Sequence, residues 1–197
     1  MNIIRISHYY FLMITMLLGI SNAAFSDHTK NSCNNKNLRV IKFDVAEDAT
    51  RFIFDNEPVD EDGFPAYGNS FITQGYIYPS GTLDGANGVL EDGQPEFPEK
   101  VMGSWTCRGR FIGDGFKTVT GPIVITTQHY DLGHKPGKKT LVSEGFELMD
   151  IGEAVKRAIT GGTGRYKNAG GEAIQRLLGL NATEGVNLRF KLKINPN

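Results

Sequence analysis

Basic excess is what this sequence of 197 residues most plainly lacks. Its 21 Lys and Arg are set against 22 Asp and Glu, a formal net charge of −1. A nucleic-acid binder normally carries a basic surplus, so no nucleic-acid partner is expected. Histidine and cysteine are also scarce, at four and two. That leaves too few ligands for a zinc site, and neither metal nor cofactor is expected. No G-x-S-x-G nucleophile elbow occurs, and no glycine loop carries the lysine of a phosphate-cradling P-loop. Beyond residue 20 no apolar run is long enough to span a bilayer, and no helical 3.6-residue period persists over a useful length. No internal repeat is evident. At 40% hydrophobic and 22% charged residues the chain is too apolar for a disordered protein, and its length suits one domain.

Glycine is abundant at 24 residues, alongside many Val, Ile, Thr, Phe and Tyr. This is the mixture of strands joined by tight turns. Ahead of it stands a different kind of segment. Arg5 precedes the apolar run Tyr9 to Ile20, and Ser21-Asn22-Ala23 supplies small residues at a cleavage position. These three parts make residues 1–23 a cleavable signal peptide, followed by a leader over 24–37 and a folded domain over 38–197. The expected destination is secreted or periplasmic, with no stable membrane span once the signal is removed. In an oxidising compartment Cys33 and Cys107 can pair. Such a bridge closes a loop of about 74 residues and contributes about 4 kcal/mol in the chain-entropy view. The alternative is a free Cys33 and a Cys107 that serves as a small buried hydrophobe.

Period-2 segments predict eight strands, at 38–46, 68–78, 101–112, 118–130, 139–150, 153–160, 170–178 and 185–195. In the last, Val186, Leu188, Phe190, Leu192 and Ile194 share one face, and Asn187, Arg189, Lys191 and Lys193 the other. Glu153 to Ile159 is short enough to be a helical turn, but Gly161-Gly162 stops it at once and a strand is the better assignment. Residues 79–100 hold three prolines, four glycines and five acids, and read as a long surface loop, functional or mobile. Eight antiparallel strands at hairpin spacing fit an all-β, up-and-down, calycin-like barrel, since closure removes the exposed sheet edges. An eight-stranded barrel is just wide enough for side chains or one small ligand.

Residues 158–171 read Ala-Ile-Thr-Gly-Gly-Thr-Gly-Arg-Tyr-Lys-Asn-Ala-Gly-Gly. Gly161, Gly162 and Gly164 suit a sharp bend with close backbone approach, and the Thr160 and Thr163 hydroxyls can bond to turn groups. The run resembles the AITGG(T/S)G-x-(F/Y)-x-x-A-x-G signature of the allene oxide cyclase and dirigent barrel superfamily. Gly103-Ser104-Trp105-Thr106-Cys107-Arg108-Gly109 is similar to the GxWxCxG strand of its exported bacterial branch. The resemblance extends from about residue 38 to 195. It implies an eight-stranded barrel, assembly as dimers or trimers, and an acid on the first strand, for which Asp44 is the matching position. Ala46 stands where the cyclases carry an asparagine, and the dirigents' arginine contacts have no clear match.

On the residues themselves, an acid on an otherwise apolar strand face is the most informative feature. Glu144 is such a residue, sharing a face with Val142, Phe146 and Leu148. Asp44 and Glu144 are therefore the candidate catalytic acids, and Tyr76, Tyr78, Trp105, Tyr130 and Phe146 the candidate ligand-lining residues. Gly161, Gly162, Thr163 and Gly164 are assigned to a structural turn. His129 and His134 lack a third metal ligand nearby. Asn181-Ala182-Thr183 is a glycosylation sequon, meaningful only in a eukaryotic secretory pathway. The expected function is binding of a small hydrophobic or aromatic ligand inside the barrel without turnover. The alternative is a cyclase- or dirigent-type enzyme that steers a reactive apolar substrate.

Overall fold

A computed structural model describes residues 38–133 and 135–195. Eight strands run β1 (Arg39–Phe54), β2 (Ser70–Pro79), β3 (Gly103–Phe111), β4 (Pro122–Asp131), β5 (Thr140–Leu148), β6 (Ala154–Gly162), β7 (Gly171–Leu180) and β8 (Val186–Ile194). Each pairs antiparallel with the next in sequence, and β8 pairs back onto β1 to close a barrel. The eight expected strands and the up-and-down order are all present, including β6 as a strand. No helix among these residues is long and apolar enough to cross a membrane. The signal segment, the leader and Cys33 lie outside the described residues.

Strand boundaries differ from expectation at two places. β1 runs to Phe54 rather than ending at residue 46, because Glu47 and Asp48 are buried members of the strand and not its polar terminus. Its pairing with β2 shifts register between Asp48 and Ile53. The Asp48 carboxylate braces that irregularity by accepting the Thr50 N–H and hydroxyl and pairing with Arg51 at 3.1 Å. β4 starts only at Pro122, since residues 118–121 form the turn that precedes it.

Register fixes which side chains point inward. On β1 these are Ile41, Phe43, Val45 and Glu47, facing Leu192, Phe190 and Leu188 of β8. Phe43, Tyr130 and Phe190 stack in the centre with ring centroids 5.1 to 5.3 Å apart. Each such contact adds about 1 kcal/mol beyond the area it buries.

The barrel has two unlike ends. The glycine end carries loops 132–139 and 163–170 and both roots of the β2–β3 connection, and the acidic end carries loops 55–69, 112–121, 149–153 and 181–185. At the glycine end the superfamily-like motif does the structural work expected of it. β5 and β6 slip by one residue at Thr160, since Val142 faces Gly161 while Ser143 faces Ile159. The Thr163 hydroxyl then accepts the Thr140 N–H at 3.1 Å and donates to the Gly137 carbonyl. Gly164 sits at φ +58, where a Cβ would collide with the Lys138 carbonyl oxygen, and a Cβ on Gly162 would meet the Thr140 carbonyl. Gly161 faces open space, so its need for glycine is the weaker. Tyr166 and Ala169 follow as a buried plug on this end.

The 79–100 connection, expected as a long surface loop, is packed against the barrel. It folds back as a flap over the outer wall, where Leu83, Val89 and Phe97 form a second small core with Ala46, Tyr78 and Leu178. It also reveals a repeat. Val59 to Pro65 and Val89 to Pro95 share the pattern V-x-E-D-G-x-P and fold alike, each closed by an isolated bridge between its Val and its Pro. In the first, Asp60 N–H bonds the Phe64 carbonyl at 2.8 Å, and in the second Leu90 N–H bonds the Gln94 carbonyl at 2.9 Å.

Candidate functional site

Inside the barrel, towards the acidic end, the apolar lining gives way to a belt of polar side chains. Each is an alternate residue of a different strand: Glu47, Thr73, Cys107, Gln128, Glu147, Arg157 and Gln175, with Thr126 and Ser143 beside them. Burying so much polarity is tolerable only when the groups satisfy one another. Most of them do.

Glu147 is the hub. Its Oε1 accepts the Thr126 hydroxyl at 2.6 Å and the Gln128 amide at 2.8 Å, with the Cys107 thiol at 3.5 Å. Its Oε2 accepts the Gln175 amide at 2.9 Å. Arg157, whose side chain is fully buried, lies 3.9 Å from Oε1 and spends its donors on the carbonyls of Gly145, Phe146 and Thr126 and the hydroxyls of Ser143 and Thr126. Gly145 makes room for it, since a Cβ there would sit 3.2 Å from Arg157. The Tyr130 hydroxyl donates to Gln128 at 2.6 Å and shares a 2.7 Å bond with Ser143. Burial pushes the Cys107 thiol and the Tyr130 phenol well above their ordinary values.

Glu47 is held quite differently. Among the described residues its carboxylate accepts one hydrogen bond, from the Val186 N–H at 2.8 Å. Burial therefore dominates and raises its pKa from 4.5 to about 7, with Glu147 and Asp48 adding repulsion. The Thr73 hydroxyl and the Val186 N–H pull the other way. Thr73 is near enough to act electrostatically, yet its Oγ1 makes no hydrogen bond of its own; nor does the indole N–H of Trp105. Both belong to inward-facing residues that are 1% exposed. Two unsatisfied polar groups and an under-solvated carboxyl thus share the interior with a saturated network. Glu47 and Glu147 are 6% and 8% exposed, and Phe52, Phe71, Phe111 and Val124 pack the interior beyond them towards the acidic end.

The residues singled out from sequence separate into inward and outward sets. Trp105, Tyr130 and Cys107 face the interior. Asp44 is on the opposite side of β1. It is completely buried beneath the flap, paired with Arg189 at 2.8 and 3.0 Å, and accepts the N–H groups of Gly81 and Leu83. Tyr76 and Tyr78 also face the flap, their hydroxyls bonded to the Gly93 and Gly88 carbonyls. Glu144 and Phe146 are exposed on the outer wall, because β5 turns Leu141, Ser143, Gly145 and Glu147 inward instead. Small residues on that inner face accommodate Arg157, so the more apolar face of β5 is the outer one. Glu144 lines a surface groove of about 630 Å³ with Ile72, Arg108, Arg110 and Ile125. The sequon asparagine, Asn181, has its amide buried and donating to the Glu47 carbonyl and Asn187. In the folded chain that amide nitrogen is occupied.

Sequence reasoning passed over Glu47, Glu147, Arg157, Gln128 and Gln175. A signal for three of them existed, namely a polar residue on an apolar face of period two: Val45-x-Glu47, Val155-x-Arg157-x-Ile159 and Ala173-x-Gln175-x-Leu177.

No protein-family profile matches the chain, and no curated protein matches it. Solved structures do. The pterocarpan synthase dirigent protein PsPTS1 aligns with a TM-score of 0.56 at 15% identity, over 81% of this chain and 95% of that one. A second pterocarpan synthase dirigent protein, GePTS1, gives 0.52 at 17% identity, over 95% and 98%. A pyocyanin demethylase gives 0.51 at 15% identity, over 80% and 100%. At such identities the shared property is architecture: this chain has the closed eight-stranded antiparallel barrel of the dirigent proteins.

Proposed function

We propose that the protein binds a small apolar or aromatic molecule within the barrel, admitted at the acidic end and met there by Glu47. The observation that carries this reading is the contrast within one polar belt. Glu147 and Arg157 are saturated with protein partners, whereas Glu47, Thr73 and Trp105 Nε1 hold unspent hydrogen-bonding capacity among aromatic rings. Buried polar groups without partners mark a place where a ligand or water completes the set. The barrel of the dirigent and demethylase neighbours supports a ligand-handling role. The amino-terminal leader supports action outside the cytoplasm.

A second reading follows from the same carboxyl. A group with a pKa near 7 is matched to proton transfer at neutral pH, so Glu47 would serve a cyclase-type enzyme as acid or base towards the bound molecule. Trp105 is the protein's single tryptophan and lies inside the barrel, which makes its fluorescence a direct reporter. Native mass spectrometry of protein from the producing organism should find a co-purifying small molecule, and its re-addition to stripped protein should change Trp105 emission. Absence of any such molecule, together with unchanged emission across a panel of naphthalene-sized compounds, would remove the binding reading. Turnover of the molecule with a pH midpoint near 7, lost in Glu47→Gln, would select the enzyme.

A further inference from the structure

We infer that two copies of this chain pair through the outer faces of β3, β4 and β5, about a two-fold axis running along β4, with Phe146 of each copy seated in the outer-wall groove of the other. The contact is independent of what the barrel interior holds. Three observations on the outer wall point to it.

The first is a difference between parts of that wall. Over β1 and β2 its apolar side chains are covered by the chain's own flap. Over β6, β7 and β8 it is an ordinary wet face, where Glu172 pairs with Lys156 at 3.1 Å and with Lys193 at 3.8 Å. Between these parts Ile72, Ile125 and Phe146 stand 40 to 47% exposed. A contiguous apolar patch on a sheet face marks a surface that another molecule covers. The second observation is charge. Arg108 and Glu144 flank the patch, and among the described residues neither is in an ion pair.

The third is register, which selects a second copy as the occupant. Arg108, Thr127 and Glu144 form one row across β3, β4 and β5, and Arg110, Ile125 and Phe146 form the next outward-facing row. In each row β4 stands midway, so a two-fold axis along β4 exchanges β3 with β5. Ile125 then meets its own copy on the axis. Arg108 meets the partner's Glu144, and Glu144 meets the partner's Arg108, so one operation matches both unpaired charges. The same operation carries the partner's Phe146 over Arg110. That guanidinium lies in the groove of about 630 Å³ beside Ile72 and Ile125, and a 3.0 Å bond to the Gly68 carbonyl holds it there. An aromatic ring on a guanidinium face is a favourable seat. Each copy thus offers a knob on β5 and a groove on β3 at mirrored positions.

The test is sedimentation equilibrium of the protein. A contact over three strands is small for a specific interface, so a monomer–dimer equilibrium is expected within about 1–100 µM. Phe146→Ser should weaken it by about tenfold or more, while the circular dichroism stays that of the parent, since the ring is exposed in the single copy. Arg108→Glu and Glu144→Arg should each weaken association by about tenfold, because each places two like-charged pairs across the axis. Mixed one to one, these two variants should form a heterodimer at least about tenfold tighter than either homodimer, since both facing pairs are then opposite in sign. A monomer at about 100 µM overturns the pairing. A trimer overturns it too, since a two-fold axis cannot generate one. Dimers unmoved by Phe146→Ser, or a mixture no tighter than its separate variants, would mean that association uses another face, and would equally overturn it.

Discussion

Asp44 and Glu47 lie three residues apart on β1, and both are buried, yet the barrel wall puts them in different chemistry. Asp44 faces out beneath the 79–100 flap and receives four hydrogen bonds, two from Arg189 and two from backbone N–H groups. Glu47 faces in and receives one. Burial is thus a poor guide to function by itself. What separates these two buried carboxylates is how fully their lone pairs are used. Asp44 ties the flap to the wall; Glu47 keeps capacity in reserve.

The severest way to break that comparison is Asp44→Ala. It leaves the Gly81 and Leu83 N–H groups unpaired beneath the flap and deprives Arg189 of its partner. Arg189 is 37% exposed and recovers some hydration, so the expected loss is about 3 kcal/mol rather than the upper end for a sealed pair. For a domain of this size that lowers Tm by about 10 °C. Hydrogen exchange should accelerate across residues 80–97 first. Exchange that accelerates instead in β4 and β5 would mean the flap does not depend on Asp44.

Next comes acidity. The Glu47 carboxyl titrates near pH 7 in the folded chain and near 4.5 when unfolded. The folded state therefore binds the extra proton across that interval, and stability falls as pH rises through it. The expected decline between about pH 4.5 and 7 is about 2–3 kcal/mol, measured by denaturant unfolding at a series of pH values. Glu47→Gln should flatten this slope, matching the parent near pH 5 and exceeding it near pH 8. An unchanged slope would assign it to another group and place Glu47 on the same footing as Asp44.

The two sides of the wall also differ in how far they could be read from sequence. All eight strands and the closing glycine turn follow from alternation and turn residues, because those features are local. Which face of a strand points inward is not local when both faces mix polar and apolar residues. On β8 the faces are unambiguous, with Leu188, Phe190 and Leu192 against Arg189 and Lys191, and the assignment holds. On β5 the apolar face, Val142, Glu144 and Phe146, is outermost, because the interior there must hold Arg157 and the Glu147 network. Asp44 fits the first-strand acid by position, but its pairing with Arg189 comes from register across 145 residues. The expected first strand stops at Ala46, just before the two consecutive acids Glu47 and Asp48. A buried polar belt inverts the usual sign of the pattern, and only the register of neighbouring strands discloses it.

A matched pair of tyrosines refines the contrast at smaller scale. Tyr130→Phe removes a hydroxyl bonded to both Gln128 and Ser143 inside the barrel, and Tyr78→Phe removes one bonded to the Gly88 carbonyl beneath the flap. The interior loss should be the larger, about 1.5–2 kcal/mol against about 1, since Gln128 Oε1 loses its only partner while the Gly88 carbonyl keeps the Glu96 N–H. Thermal unfolding of the two variants in parallel decides it. Reversal of the order would show that the belt repacks more readily than the flap.

Thr73→Val has the smallest expected effect on stability and sharpens the comparison most. An isosteric exchange of hydroxyl for methyl normally costs stability where the hydroxyl is bonded. Thr73 Oγ1 is buried without a partner, so its loss should leave stability within about 0.5 kcal/mol of the parent near pH 5. The same hydroxyl helps to hold down the Glu47 pKa, so its removal should carry the Glu47 midpoint upward. The two readouts move independently only if Thr73 serves the carboxyl and a visiting molecule rather than the fold. A loss above about 1 kcal/mol with an unmoved midpoint would show that the hydroxyl is structural, and that the interior of this barrel is as fully spoken for as the pocket around Asp44.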